Sequence, residues 1–446
     1  MKRLALAGLA ALIVILALLA YREVRRGREV VEARITVNTS KLLGRFKDLR
    51  GVNCGPLSPR GWDTTRSLNL TDYYVELGIR VIRFHDLHMA DDLDIIFPNP
   101  DADPCNPASY SFSALDENVE AAQRVAKVII LRIGFDWHDP PKNRPHVNLN
   151  KLASVVKHIV LHYAKGWANG YRYHNILWEI WNEPDIDRFW ALSAQEYFRL
   201  YETLAKAVKR ADPEAMVGGP TIAYNLTFLE EFLNYTRSRG VPLDFVSWHA
   251  YSTNPRDIVE RARRVREIMV KYGYEELPSV LDEWNYWWNK EPWDFFRGPT
   301  VAAFQTSTLI WLQDAPVDIA VLYRGDAWNW GGMFYADGRP GKPFYAWLAF
   351  KRLIEGTVRV EAGVEGYELA VAAGLAPNGS LYVLISNHGD LSVRYRLELD
   401  EEFRVIKALV VDANQDLSSV DACDGLTCVI GPHAVQLLEL ERPSGQ

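Results

Sequence analysis

Between residues 48 and 355 short apolar runs alternate with amphipathic stretches about eight times, and this alternation constrains the fold more than anything else in the 446-residue chain. The runs are Leu49–Cys54, Ile79–Phe84, Val128–Ile133, Ile176–Trp181, Ala215–Gly219, Phe245–Trp248, Ser279–Asp282 and Ile319–Tyr323. Helical patterns such as Asn150–Ala168 and Ala194–Arg210 lie between them. Strands that strictly alternate with helices form a parallel sheet, and eight such units over this length predict a closed (β/α)8 TIM barrel. An open doubly wound sheet would carry a glycine-rich phosphate loop after its first strand, and Gly51-Val-Asn-Cys-Gly55 is not one.

After Gly356 the pattern changes to period-two alternation punctuated by turns, over Leu369–Ala373, Leu381–Ser386, Val393–Leu399, Val405–Val411 and Val435–Leu440. Residues 356–446 are therefore predicted to form a small antiparallel β-sandwich. Ala33–Asn38, within 31–47, alternates in the same way and is expected to pair into it.

Barrels place their chemistry at the carboxyl ends of the strands. Here the reactive side chains fall there: Arg83 and His85 after the second run, Asp136 and His138 after the third, Asn182 and Glu183 after the fourth. His249 and Tyr251 close the sixth, Glu283 the seventh, and Tyr323, Arg324 and Trp328 the eighth. Ile176-Leu-Trp-Glu-Ile-Trp-Asn-Glu-Pro-Asp185 and Pro278-Ser-Val-Leu-Asp-Glu-Trp-Asn-Tyr-Trp287 each read as a strand ending in a glutamate beside Asn and Trp. Glu183 precedes Pro184, which predicts extended backbone at the glutamate. Two carboxyl groups brought to one cleft are the minimal equipment for cleaving a glycosidic bond, one donating a proton and the other attacking carbon or activating water. The 15 Trp and 21 Tyr suit a cleft that stacks rings on sugar faces, although barrel helices also absorb aromatics.

Net charge is −7 with both signs interspersed, which excludes the basic stripe of a nucleic-acid binder. No His/Asp group shows metal-ligand spacing, so neither metal nor cofactor is expected, and His88, His138 and His146 read as polar loop residues. Residues 1–30 contain seventeen uncharged, almost wholly apolar residues, Leu4 to Ala20, without a clean small-x-small cleavage site, and read as a membrane anchor or signal segment. Arg22, Arg25, Arg26 and Arg28 lean toward a cytoplasmic catalytic domain. Five Asn-x-Ser/Thr sites, at Asn38, Asn69, Asn225, Asn234 and Asn378, and an even cysteine count lean outward, and an extracellular domain is the expectation. Cys423 and Cys428 are one candidate disulfide, Cys54 and Cys105 the other; four free thiols are the alternative. The sequence carries no signal of oligomeric state.

The order Val81-Ile-Arg-Phe-His85, Glu179-Ile-Trp-Asn-Glu-Pro184, Asp244-Phe-Val-Ser-Trp-His-Ala-Tyr251, Asp282-Glu-Trp-Asn285 and Lys342-Pro-Phe-Tyr-Ala346 resembles glycoside hydrolase family 39, in the clan of retaining (β/α)8 glycosidases that includes β-xylosidases and α-L-iduronidases. The resemblance spans most of residues 45–355. It implies Glu183 as general acid/base with Asn182 on the neighbouring sugar hydroxyl, and Glu283 as nucleophile, kept ionised by Arg83 and oriented by Tyr251. It further implies His85 and His249 lining the sugar subsite, with Trp328 as its floor. Asp86 stands where the family's xylosidases commonly have a small residue. The cluster Trp284, Trp287, Trp288 and Trp293, with Trp284 taken as a substrate contact, is heavier than a simple xyloside pocket needs. The implied function is retaining hydrolysis of a carbohydrate substrate. A transglycosylase with the same pair, or a non-catalytic glycan-binding surface protein, are the alternatives.

Overall fold

The computed structural model describes residues 30–88, 90–287 and 292–443. The predicted anchor, within residues 1–30, lies almost wholly outside them. No helix among the described residues is long and apolar enough to cross a membrane.

Eight parallel strands close into a barrel: Gly51–Asn53, Val81–Phe84, Val128–Ile133, Ile176–Ile180, Met216–Ile222, Phe245–Ser252, Ser279–Tyr286 and Ile319–Leu322, the last pairing back onto the first. Val81, Ile130, Leu177, Phe245, Val280 and Val321, one from each of six strands, fill a buried interior layer, so the barrel is a packed core and not a pore. Its helices begin and end where side chains can satisfy orphan backbone groups. Asn148 caps Leu149–Lys165, which ends at left-handed Gly166, and Ser193 with Glu196 forms a capping box for Ala194–Ala211. The latter helix presents Tyr197, Phe198 and Tyr201 to the interior, and the Tyr197 hydroxyl donates to the Ile180 carbonyl (3.0 Å) below the fourth strand's end. Much of the aromatic surplus is therefore structural: Trp178, Trp181, Trp248 and Trp284 are fully buried. A hairpin of Leu57–Arg60 and Asp63–Asn69 follows the first barrel strand and was not expected.

The second unit is built on one ten-stranded sheet. Val30–Gly44 pairs antiparallel with Val358–Glu365 and parallel with Ser392–Leu399, so the expected N-terminal strand joins this sheet and makes it mixed, where a purely antiparallel one was predicted. The sheet curls on itself: the Tyr395 hydroxyl bonds Gln436 across strands that are not neighbours, and Val37, Val393, Leu381 and Leu438 share one core. Helices Pro299–Trp311 and Lys342–Ile354 group largely with this sheet, which corrects the expected division at residue 355. The physical reason is that Pro299–Trp311 is buried on nearly every face and is not amphipathic. Its Ser307 hydroxyl bonds that of Ser386 (3.0 Å), and its Gln305 accepts from the Trp347 indole (3.0 Å).

Cys423 and Cys428 face each other across a two-strand ladder and are disulfide-bonded. The other expected pair does not form. Cys54 is buried with its thiol on the His85 carbonyl (2.9 Å), whereas Cys105 lies on an exposed loop held by Asp103. Peptide mapping of non-reduced protein is expected to recover Cys423 linked to Cys428. Alkylation should modify Cys105 in the native state and Cys54 only after unfolding; recovery of a Cys54–Cys105 crosslink would contradict this arrangement.

Candidate active site

The site is built around one guanidinium. Arg83, fully buried at the end of the second strand, donates to Glu179 (2.6 Å), Asn53 (3.1 Å), Glu283 (2.8 Å) and Asn182 (2.8 Å), with Asp282 at 3.4 Å. One cation thus ties together strands one, two, four and seven. Asp282 and Glu283 are consecutive, and regular pleating would send them to opposite faces. The ladder to the sixth strand shifts register between Leu281 and Glu283, and this irregularity lets both carboxyl groups reach Arg83.

Glu283 also accepts from the Tyr251 hydroxyl (2.7 Å), and His85 Nε2 stands 3.8 Å away. Burial pushes the Glu283 carboxyl upward, while His249, Arg83 and the Tyr251 hydroxyl oppose that push. His249, itself driven down to about 4 chiefly by burial, is neutral at pH 7, so what opposes the net upward push on Glu283 from burial and Glu183 is Arg83 with the Tyr251 hydroxyl.

Glu183 has a different environment. Its carboxyl contacts His249 Nδ1 (2.8 Å) and has no guanidinium partner, and burial together with the Asp185 anion raises it to about 8. Asp185 is held by three backbone N–H groups, those of Ala223, Tyr224 and Asn225 (2.8, 3.0 and 2.8 Å). The expected extended backbone at Glu183 is not found. Its φ is +42°, following Trp181 at +73°, so the chain turns sharply at the strand end. The Glu183 N–H bond to the Thr221 carbonyl (3.0 Å) and the buried Trp181 indole bonded to Phe189 (2.7 Å) hold that turn against its local preference. Ligand-capable atoms of Glu183, His249 and Glu283 all lie within 4.8 Å of one another. The two carboxyl groups therefore face one small volume with unequal proton affinities.

Of the residues singled out in the sequence, Arg83, His85, Asn182, Glu183, His249, Tyr251 and Glu283 come together here. Arg83 holds the Asn182 carbonyl oxygen, which leaves the amide NH2 for a sugar hydroxyl. Trp328 is half-buried, edge-on to Trp62 at 4.4 Å, and can serve as a wall. Trp284 does not belong to the site: it has no exposed surface and so offers no ring face to a sugar. Trp137 (54% exposed) and Trp287 (55% exposed) do offer one. Sequence reasoning passed over Trp137, Asp185, Glu179 and Asp282. For the last two the available signal was an acid inside an otherwise apolar strand.

Two groups among the described residues could hold a cation by proximity, Glu183/His249/Glu283 and His85/Asp86/Asp136. In both, carboxylate oxygens already accept from Arg83, Tyr251, Arg132 or Trp137, donors that compete with an ion.

A (β/α)8 barrel presenting two unequal carboxyl groups at the ends of strands four and seven defines a glycosidase-type site. Residues 33–326 match the family described as Glycosyl hydrolases family 39, and the chain belongs to that family. It is 28% identical over 345 residues to a beta-xylosidase of Caldicellulosiruptor saccharolyticus, covering 70% of this chain and 66% of the relative. It is 29% identical over 246 residues to a beta-xylosidase of Geobacillus stearothermophilus, covering 47% of each. The chain thus spans a little under two thirds and about half of the length of these curated relatives. Among solved structures, a glucosidase from Croceicoccus marinus superposes with a TM-score of 0.76 at 26% identity, over 93% of this chain and 100% of that one. A monomeric beta-xylosidase from Caulobacter crescentus CB15, at 18% identity and a TM-score of 0.69 over 92% of this chain and 99% of that one, shares the fold.

Because the Asp185 anion is one source of the high proton affinity of Glu183, Asp185→Asn should weaken it. If Glu183 acts as an acid, activity falls as pH rises through about 8, the value at which it loses its proton. In Asp185→Asn that alkaline limb should move to lower pH, by about a unit or less, with the acid limb nearly unchanged. A pH profile of kcat/KM on one substrate checks both.

Proposed function

We propose that the protein is a retaining glycosidase working by double displacement on a β-linked glycan, with Glu283 as nucleophile and Glu183 as acid/base. The single observation that carries this reading is the asymmetry of the pair: Glu283 is bonded to Arg83 and Tyr251, while Glu183 is raised to about 8 and lacks a cation. Inverting enzymes leave room for a water, with carboxyl groups roughly 6.5–9.5 Å apart, and retaining ones about 5–5.5 Å. The 4.8 Å limit between ligand-capable atoms supports the shorter arrangement.

In the first step a Glu283 oxygen bonds to the anomeric carbon as the bond to the leaving oxygen breaks, and Glu183 passes its proton to that oxygen. With its ring proton on Nδ1, His249 donates to Glu183 Oε1 and leaves Oε2 to carry the acid proton. Asn182, oriented by Arg83, donates its NH2 to the adjacent sugar hydroxyl, a contact that strengthens as positive charge develops on the ring. In the second step Glu183, now ionised, takes a proton from water, the water oxygen bonds to the anomeric carbon, and Glu283 departs as carboxylate. The relatives are named for xylosidase and glucosidase activities, which supports a β-glycoside substrate. We further place the barrel outside the cell, behind a membrane anchor or signal in residues 1–30, a reading supported by the Cys423–Cys428 disulfide.

Glu183→Ala tests the division of labour. Natural glycans should lose about 10²- to 10⁴-fold in turnover, while aryl glycosides whose leaving group needs no proton should still be attacked by Glu283. Azide should rescue this variant and give the β-glycosyl azide, whereas with Glu283→Ala it should give the α anomer. Near wild-type cleavage of natural glycans by Glu183→Ala would refute the assignment.

A further inference from the structure

Asp86, immediately after His85, is an acid at the mouth whose role the two-step chemistry does not use. Its backbone is left-handed (φ +60°), a strained state for a non-glycine residue, and every handle on it is held. Its N–H donates to Asp136 (2.7 Å), and its carbonyl accepts from Arg324 (3.1 Å). Its carboxylate accepts from the Trp137 N–H (2.6 Å) on one oxygen and from the Tyr323 hydroxyl on the other. One side chain separates the carboxylate from the nucleophile candidate: His85 Nε2 is 3.7 Å from Asp86 and 3.8 Å from Glu283. Its side chain keeps 17% exposure amid largely buried neighbours. His85, driven well down by its own burial, is neutral at working pH. Against the upward push of burial it is therefore Arg324, together with the Trp137 and Tyr323 donors, that holds Asp86 below the usual carboxylate range, and it is an anion there.

A carboxylate only accepts, at about four lone-pair positions. Trp137 and Tyr323 take one on each oxygen, which leaves one on each for a ligand. Arg83 and Arg324 cannot answer a second anion, and the third guanidinium nearby, Arg132, is fully buried against Asp91 and Asp136 and presents no surface to a ligand. Arg83 is committed to Asn53, Glu179, Asn182 and Glu283, and Arg324 to Asp326, Tyr323 and the Asp86 carbonyl. We propose that Asp86 is the specificity-determining residue of the sugar subsite, accepting hydroxyl hydrogens from an uncharged sugar and refusing uronic acids by like-charge repulsion. This rests on the glycosidase reading above. An attractive contact for one substrate class and a repulsive one for its competitor reside in the same group.

The test uses the full chain and matched 4-nitrophenyl β-glycosides: xyloside, glucoside, galactoside, mannoside and arabinoside against glucuronide and galacturonide. Wild type should cleave at least one neutral substrate, with kcat/KM at least about a hundredfold above that for either uronide. Asp86→Asn, which keeps shape and removes charge, should lower kcat/KM on the neutral substrate and narrow the ratio at least about tenfold. Thermal melting checks that it folds, and the wild-type ratio tests the proposal even if it does not. Uronide cleavage by wild type at a rate comparable to or above that of the neutral sugars overturns the proposal, as does an unchanged ratio in folded Asp86→Asn. Failure of the underlying glycosidase reading is separate: no substrate would be cleaved, or Glu283→Ala would match wild type.

Discussion

The Arg83 guanidinium is the interaction on which the rest of the site depends. It is fully enclosed and faces Glu179, Asp282 and Glu283 together, with two amide oxygens completing its donors. Three carboxyl groups around one cation cannot all ionise at tolerable cost in a dry interior. Burial and Glu179 push the Asp282 carboxyl well upward, and a protonated Asp282 can donate to Glu179, so Asp282 keeps a proton. The charge of Arg83 is then available to Glu283. Removing the guanidinium would leave buried acids uncompensated, a loss of about 3–5 kcal/mol, so its place in the barrel is as much structural as chemical.

Around this cation the backbone departs from regular geometry at the positions chemistry needs. The register shift beside Asp282 turns two consecutive acids inward, and positive φ at Asp86, Trp181 and Glu183 aims strand-end side chains across the mouth. Such conformations persist only where packing over-determines them. Here Arg324, Thr221 and the buried indole of Trp181 supply that constraint. Asp185 adds a fixed anion near Glu183 while accepting three backbone N–H groups ahead of the next helix, so one side chain serves fold and proton affinity together.

The alternation of apolar runs was enough to place all eight barrel strands, with Val128–Ile133 coinciding end to end and the others differing by a few residues. The strand-end rule likewise brought out Arg83, Asn182, Glu183, His249, Tyr251 and Glu283. Local rules failed where tertiary contacts override them. The proline after Glu183 argued for extended backbone, but the Thr221 contact and the Trp181 packing hold a left-handed turn. Trp284 looked like a sugar platform by adjacency to Glu283, yet it has no exposed surface, which its place in the sequence could not reveal. Cys54 and Cys105 were paired because their segments could meet above the barrel and the count was even, and burial of one with exposure of the other separates them. The hairpin ending at Asn69 carries polar, exposed residues in its second strand and so had no apolar alternation to betray it.

The central claim is that Glu283 carries the sugar covalently. A 2-deoxy-2-fluoro glycosyl fluoride of a cleaved sugar slows both steps but keeps a good leaving group, so the intermediate should accumulate. Intact mass followed by peptide mapping should then find one glycosyl unit on the peptide containing Glu283, absent from Glu283→Ala. A label on another residue, or no label on an enzyme whose product NMR shows inverted configuration, would contradict the account.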